Sequence, residues 1–110
     1  MLRLDDIVQY THDSIAWTMD ETESSFSQND VLFRAVLYNL QVIGEAVKGL
    51  PEEVKQMDAL IPWRAIAGLR DVLAHAYFRI DAPLVWEVVR EQLPEFLKRV
   101  VQIRISLRED

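Results

Sequence analysis

Apolar residues recur every three or four positions along much of the chain, which is the spacing of one face of an α-helix. The first such run predicts a helix from about Leu2 to Asp20. Its apolar positions are Leu4, Ile7, Val8, Ile15 and Met19. The polar segment Glu21 to Gln28 contains three serines and one threonine and lacks this periodicity, so we expect a loop there.

A second helix is predicted after Asn29 and Asp30, whose side chains are suited to cap a helix N-terminus. Its apolar stripe consists of Leu32, Val36, Leu40, Ile43 and Val47. Gly49 follows the last of these residues, at the position where a glycine in the left-handed conformation commonly ends a helix. These signals place the second helix between about residues 30 and 48.

Prolines mark the later elements. Pro51, followed by two glutamates, suits the start of a short helix through about Met57, and Pro62 opens a longer helix to about Phe78. Asp81 can cap a last long helix that starts near Pro83, and Pro94 should kink or interrupt that helix. The apolar stripe of the last helix consists of Val85, Val89, Phe96, Val100 and Ile103.

No segment shows a sustained strand-like alternation, and the connections are short. The predicted fold is therefore all-α, an antiparallel bundle of four main helices plus a short one. A chain of 110 residues fits a single domain over residues 1–110. It contains no cysteine, no apolar run that approaches 18 residues and no pattern of a secretory signal, so we expect a cytoplasmic protein without disulfides or thiolate metal sites.

The formal net charge of −6 argues against general electrostatic capture of nucleic acid, which depends on basic residues that neutralise phosphates. The acidic excess lies entirely in residues 1–30, which carry one basic and seven acidic side chains. Residues 31–110 carry eleven of each. A locally basic cleft in the later part of the chain therefore remains possible.

The candidate chemistry lies in the segment from Gly68 to Tyr77, where Arg70, Asp71, His75 and Tyr77 interrupt an otherwise apolar stretch. On a helix, Arg70 and Tyr77 share a face two turns apart, and Asp71 and His75 form an i,i+4 pair. Histidine is suited to proton transfer near neutral pH, and arginine presents donors that match a phosphate. The combination suits cleavage of a phosphodiester without a metal ion, although an ion pair, a structural histidine and an amphipathic tyrosine would explain the same residues. Of the two histidines, His12 is expected at the surface, and with no cysteine a zinc site is not expected.

At these residues the sequence resembles the HepT-like proteins of the HEPN superfamily. The signature of that family is an arginine, usually followed by a polar residue, then a histidine after four to six intervening positions, and a tyrosine two residues beyond the histidine. Here it reads Arg70-Asp71-Val72-Leu73-Ala74-His75-Ala76-Tyr77. Further blocks resemble the family in the same order over nearly the whole chain, namely Ile43-Gly44-Glu45-Ala46, Ile61-Pro62-Trp63, Ile80-Asp81 and Val85-Trp86.

The resemblance implies an all-α homodimer whose motif helices meet, and a metal-independent endoribonuclease that acts as the toxin of a toxin–antitoxin pair and needs no cofactor. Arg70 and His75 would be catalytic, with Asp71 orienting them. The implied partner is an MntA-like nucleotidyltransferase antitoxin that attaches AMP to the motif tyrosine, here Tyr77. Apart from the resemblance, Arg64, Arg70 and Arg79 could supply the local basic footprint that RNA binding usually needs, and a dimer would double it.

A second hypothesis belongs to a different class. The motif surface could instead bind a nucleotidyltransferase partner or a nucleotide without catalysis, with Arg70 as an anion clamp. The acidic net charge favours this alternative. The two hypotheses differ in whether Arg70 and His75 are required for RNA cleavage or only for binding.

Overall fold

A computed structural model describes residues 2–70 and 82–109, and all the helices and turns reported below lie within these ranges. Within them the chain is helical, with α1 (Leu2–Thr18), α2 (Glu23–Gln28), α3 (Asp30–Lys48) and α4 (Glu52–Lys55). A 3₁₀ turn (Gln56–Asp58), α5 (Trp63–Ala67) and α6 (Ala82–Glu87) follow. A π-helical turn (Val88–Gln92) then joins α6 directly to α7 (Leu93–Glu109). The predicted all-α class is confirmed, and none of the described residues forms a strand.

Helices α1, α3 and α7 form the body of the bundle, and α1 packs against both of the others. Asn39 on α3 donates a hydrogen bond to Ser14 on α1, and Asp5 near the start of α1 pairs with Arg104 and Arg108 near the end of α7. The contacts of Asp5 join the start of α1 to the end of α7, so these two helices are antiparallel. The predicted stripe of the last helix is buried throughout, and four of the five stripe residues of α3 are buried, with Leu32 half-buried against the core.

The face that α1 buries is partly polar. After Leu4 and Ile7, the same face of the helix continues with the fully buried residues Thr11, Ser14 and Thr18. Met19, predicted to lie in the apolar stripe, is instead exposed just beyond the helix end. The hydroxyls of Ser14 and Thr18 donate to backbone carbonyls four residues earlier, so burial leaves neither unpaired.

Three local predictions are wrong. The segment predicted as a loop from Glu21 to Gln28 contains α2, because Thr22 and Ser25 cap each other's backbone N–H groups and Phe26 is buried. Gly49 ends α3 in the right-handed region (φ −87°, ψ 0°) and is not left-handed. The helix predicted from Pro62 to Phe78 is interrupted at Gly68, which forms a turn before Leu69 and Arg70 are helical again.

The remaining predictions on the later elements have mixed outcomes. The short helix after Pro51 is confirmed as α4 with its 3₁₀ turn. The interruption predicted near Pro94 is present as the π-helical turn, which ends at Gln92, two residues before the proline. The wider turn changes the backbone hydrogen-bond pattern near a residue that has no N–H to donate. The predicted cap Asp81 and the part of the third helix beyond Arg70 lie outside the described residues.

Candidate functional site around Arg70

Arg70 is the one residue of the predicted motif that the structure describes. Its guanidinium Nη1 lies 2.8 Å from Oε2 of Glu45 on α3, and the two side chains are 44% and 58% exposed. The pair borders an open cleft of about 290 Å³ whose other lining residues are Tyr38, Gln41 and Val42. The motif arginine is therefore accessible to a ligand while one carboxylate holds its position.

Close packing between α3 and the segment from α5 to Arg70 places Arg70 there. Gly44 faces the backbone of α5, and a methyl group at this position would lie 3.1 Å from the carbonyl oxygen of Ala67 and 3.2 Å from the backbone N of Arg70. Only a residue without a Cβ allows this approach comfortably. Gly44 thus brings the two elements together, and the adjacent Glu45 binds the arginine side chain.

Tyr38 lines the cleft and contacts a residue of α1. Its ring meets that of Tyr10 edge to face, with centroids 6.3 Å apart. The Tyr38 side chain nevertheless remains 59% exposed. The cleft therefore combines an aromatic surface, an amide, a carboxylate and a guanidinium, a set suited to a ligand with an anionic group and a planar ring.

Arg64, the other described cation of the predicted RNA-binding set, does not line the cleft of Arg70. It is exposed on α5 and lines a groove of about 420 Å³ that also includes Lys48 of α3 and Lys55 of α4. We call this the basic groove. His75, Asp71, Tyr77 and Arg79 lie outside the described residues, so their predicted positions around Arg70 stay predictions.

One wall of the basic groove is fixed by two interactions that the sequence did not reveal. The indole N–H of Trp63 donates to the carbonyl oxygens of Lys55 (2.9 Å) and Asp58 (3.1 Å). Arg99 on α7 in turn donates to the Asp58 carboxylate at 2.9 Å. This hydrogen bond from Arg99 holds the pKa of the Asp58 carboxyl below its ordinary value of 3.8.

Other candidate sites receive little support from the part of the chain that is described. His12 is exposed on α1, as predicted, and lies 3.7 Å from Asp13. Among residues 2–70 and 82–109, no three His, Asp or Glu side chains are grouped so that they could hold a metal ion. No helix in these ranges has the length and apolar character needed to cross a membrane.

Comparison with known proteins identifies the family to which the chain is similar. The family described as ribonuclease HepT-like matches residues 4–103. The chain is 39% identical to "Putative RNase MJ0125" of Methanocaldococcus jannaschii, over 94% of this chain and 90% of that protein. It is 42% identical to "Putative RNase TTE0752" of Caldanaerobacter subterraneus, over 71% of this chain and 70% of that protein. It is also 40% identical to "Probable ribonuclease HepT" of Thermococcus cleftensis, over 64% of each chain.

No solved structure matches the chain. The match to the family covers most of the sequence and includes every residue of the motif. The chain therefore belongs to the HepT-like family of HEPN-type proteins, and the predicted resemblance is confirmed.

Proposed function

We propose that this protein is a metal-independent endoribonuclease that serves as the toxin of a toxin–antitoxin pair. The observation that carries the proposal is the exposed guanidinium of Arg70, held at the edge of an open cleft at the first position of the family motif. Family membership and relatives with ribonuclease names support the choice of RNA as the substrate.

In this proposal Arg70 binds the scissile phosphate and the negative charge that develops on it. His75 removes the proton from the ribose 2′-hydroxyl, whose oxygen attacks the adjacent phosphorus. The bond to the 5′-oxygen of the next nucleotide breaks, and that oxygen takes up a proton. The products are a 2′,3′-cyclic phosphate and a 5′-hydroxyl, and Asp71 orients the two catalytic side chains.

The test is cleavage of an end-labelled RNA in the presence of EDTA. Wild-type protein should cleave it, whereas Arg70→Ala and His75→Ala should lose activity by on the order of 100-fold or more. His12→Ala is the matched control, because it removes an exposed histidine on α1 and should leave cleavage unchanged. Circular dichroism must first show that all variants fold.

Product chemistry adds an independent measurement. A substrate in which a 2′-deoxynucleotide replaces the cleaved position should resist, and mass spectrometry should find the cyclic phosphate. Cleavage by folded His75→Ala at the wild-type rate would remove histidine from the mechanism. If wild type binds RNA but never cleaves it, the non-catalytic binding module becomes the better explanation.

We further propose a homodimer, a single domain, a cytoplasmic location, and an MntA-like nucleotidyltransferase partner that attaches AMP to Tyr77. Added nucleotide would bring negative charge and bulk to the place where RNA must bind. Treatment with such an enzyme and ATP should abolish cleavage by wild type and increase its mass by one AMP group. Tyr77→Phe should gain no mass and keep its activity, and equal modification of this variant would exclude Tyr77 as the target.

A further inference from the structure

The basic groove defined by Lys48, Lys55 and Arg64 is a second charged surface beside the cleft of Arg70. It contains three cations and one carboxylate, that of Glu52, although the chain as a whole carries a formal charge of −6. Trp63 also lines the groove; it is half-buried and is fixed by its two hydrogen bonds. The groove is therefore a locally positive, partly aromatic surface on an acidic protein.

Within residues 2–70 and 82–109, the three cations of the groove differ from the ion-paired arginines in having no side-chain partner. Arg99 and Arg104 are ion-paired with carboxylates on other elements. Among the described residues, Lys48, Lys55 and Arg64 have neither an ion-pair partner nor a side-chain hydrogen bond. Unpaired cations around one groove can all turn towards an anion without breaking an existing contact.

The basic groove and the cleft of Arg70 are lined by neighbouring parts of the same two segments, α3 and the segment from α5 to Arg70. Lys48 follows Glu45 by three residues on α3, so the two side chains lie on the same side of that helix, about 4.5 Å apart along its axis. On the other side, Ala67 lines the groove and Arg70 comes three residues later. A nucleic-acid strand bound at Arg70 could therefore continue into the groove.

We propose that the basic groove binds single-stranded RNA next to the cleavage position, with Lys48, Lys55 and Arg64 contacting backbone phosphates and Trp63 providing an apolar wall. The inference rests on the proposed function and adds Lys48, Lys55 and Trp63 to the predicted RNA-binding residue Arg64. Phosphate contacts of this kind make affinity depend on salt but carry little sequence information.

The experiment measures binding by fluorescence anisotropy at several salt concentrations. The probe is a labelled 12-nucleotide RNA in which every ribose carries a 2′-O-methyl group, so attack by a 2′-oxygen cannot cleave it. Lys48→Gln/Arg64→Gln should weaken binding on the order of tenfold at 0.1 M salt and reduce the slope of log affinity against log salt by about 1.4, which corresponds to two phosphate contacts with a single strand.

The matched control is Lys98→Gln/Arg108→Gln, which removes one lysine and one arginine from α7, outside the groove. This variant has the same net charge as the groove variant and should bind RNA as wild type does. Equal weakening in both variants would show that only net charge matters and would overturn the proposal. Undiminished binding by the folded groove variant, or no RNA binding by wild type, would overturn it as well.

Failure of the proposed function would be recognised separately. If the groove variant loses affinity for the modified probe while wild type never cleaves unmodified RNA, the groove assignment stands and the nuclease assignment fails. If wild type cleaves RNA but the groove variant retains both affinity and salt dependence, the reverse holds.

Discussion

Glu45 binds Nη1 of Arg70, one of the guanidinium donors that a phosphate would use. The ion pair is solvent-exposed on both sides, and such pairs contribute at most about 1 kcal/mol, so a phosphodiester can displace the carboxylate. We therefore predict that Glu45→Gln, which keeps the shape and removes the charge, increases affinity for the 2′-O-methyl RNA by up to about fivefold. Fluorescence anisotropy measures this change.

Glu53→Gln provides the comparison, because it removes an exposed carboxylate from α4 outside both the cleft and the basic groove. It should leave RNA affinity close to that of wild type. Weaker binding by Glu45→Gln would mean that the carboxylate assists Arg70 and does not compete with the phosphate.

Substitution of Gly44 tests how closely α3 must approach the segment that carries Arg70. Gly44→Ala should lower the free energy of unfolding by about 1–3 kcal/mol, because the new methyl group meets backbone atoms of Ala67 and Arg70 that cannot rotate away. This loss is reduced by the better helix propensity of alanine. Urea denaturation gives the value.

Gly68→Ala is the internal comparison for the same substitution. Its methyl group would lie 3.3–3.4 Å from carbonyl oxygens of its own turn, and Gly68 has an ordinary right-handed φ of −70°. We expect stability that is unchanged or higher by up to about 1 kcal/mol. If both variants behave alike, close packing at Gly44 does not position the motif.

At the residue scale, the sequence singled out Arg70 but did not predict its partner. Glu45 precedes Arg70 by 25 positions, and no local spacing relates residues so far apart in the chain. In the sequence, the block Ile43-Gly44-Glu45-Ala46 stands out only through the family resemblance. The structure gives it a physical explanation, since Gly44 permits the approach and Glu45 binds the guanidinium.

At the level of elements, apolar periodicity located the long helices and failed where burial is polar or brief. Thr11, Ser14 and Thr18 extend the buried face of α1, but a hydrophobicity pattern reads them as polar. Helix α2 buries only Phe26 and begins with a capping box that has serine in place of the usual glutamate. The burial of Ser14 and Thr18 and the start of α2 depend on hydrogen bonds that a pattern of apolar residues does not reveal.

The Asp58–Arg99 pair connects the 3₁₀ turn to α7 and makes this connection dependent on pH. Because the pKa of Asp58 is lower in the folded protein than in the unfolded chain, the unfolded chain takes up the proton first. The stabilisation is therefore complete above the ordinary pKa of 3.8 and is lost as pH falls below it through the folded-state pKa.

We predict that Asp58→Asn lowers the thermal midpoint by about 2–4 °C near neutral pH, as expected for a pair that is still partly accessible to solvent. The amide retains the acceptor for the backbone N–H of Leu60, so the substitution removes mainly the charge. Calorimetry across pH should show the difference between variant and wild type shrinking below pH 3.8, the ordinary pKa. A difference that is constant with pH would assign the effect to packing.

For the whole molecule, the open question is whether one chain supplies a complete catalytic site. Arg70 stands exposed at the edge of its cleft, and the predicted dimer would bring two motif helices together. If each site takes its arginine from one subunit and its histidine from the other, two inactive variants can complement each other. A mixed dimer of Arg70→Ala and His75→Ala then contains one site with both residues and one with neither.

Random exchange between equal amounts of the two variants makes half of the dimers mixed, so we expect recovery of about a quarter of wild-type activity. Each variant alone should remain inactive. The measurement is RNA cleavage after co-refolding, with Arg70→Ala refolded with itself as the control and sedimentation used to verify the dimer. Recovery would show that the site is shared across the two-fold axis. If sedimentation shows a dimer but the mixture remains inactive, Arg70 and His75 of the same chain must act together, and dimerisation has another purpose.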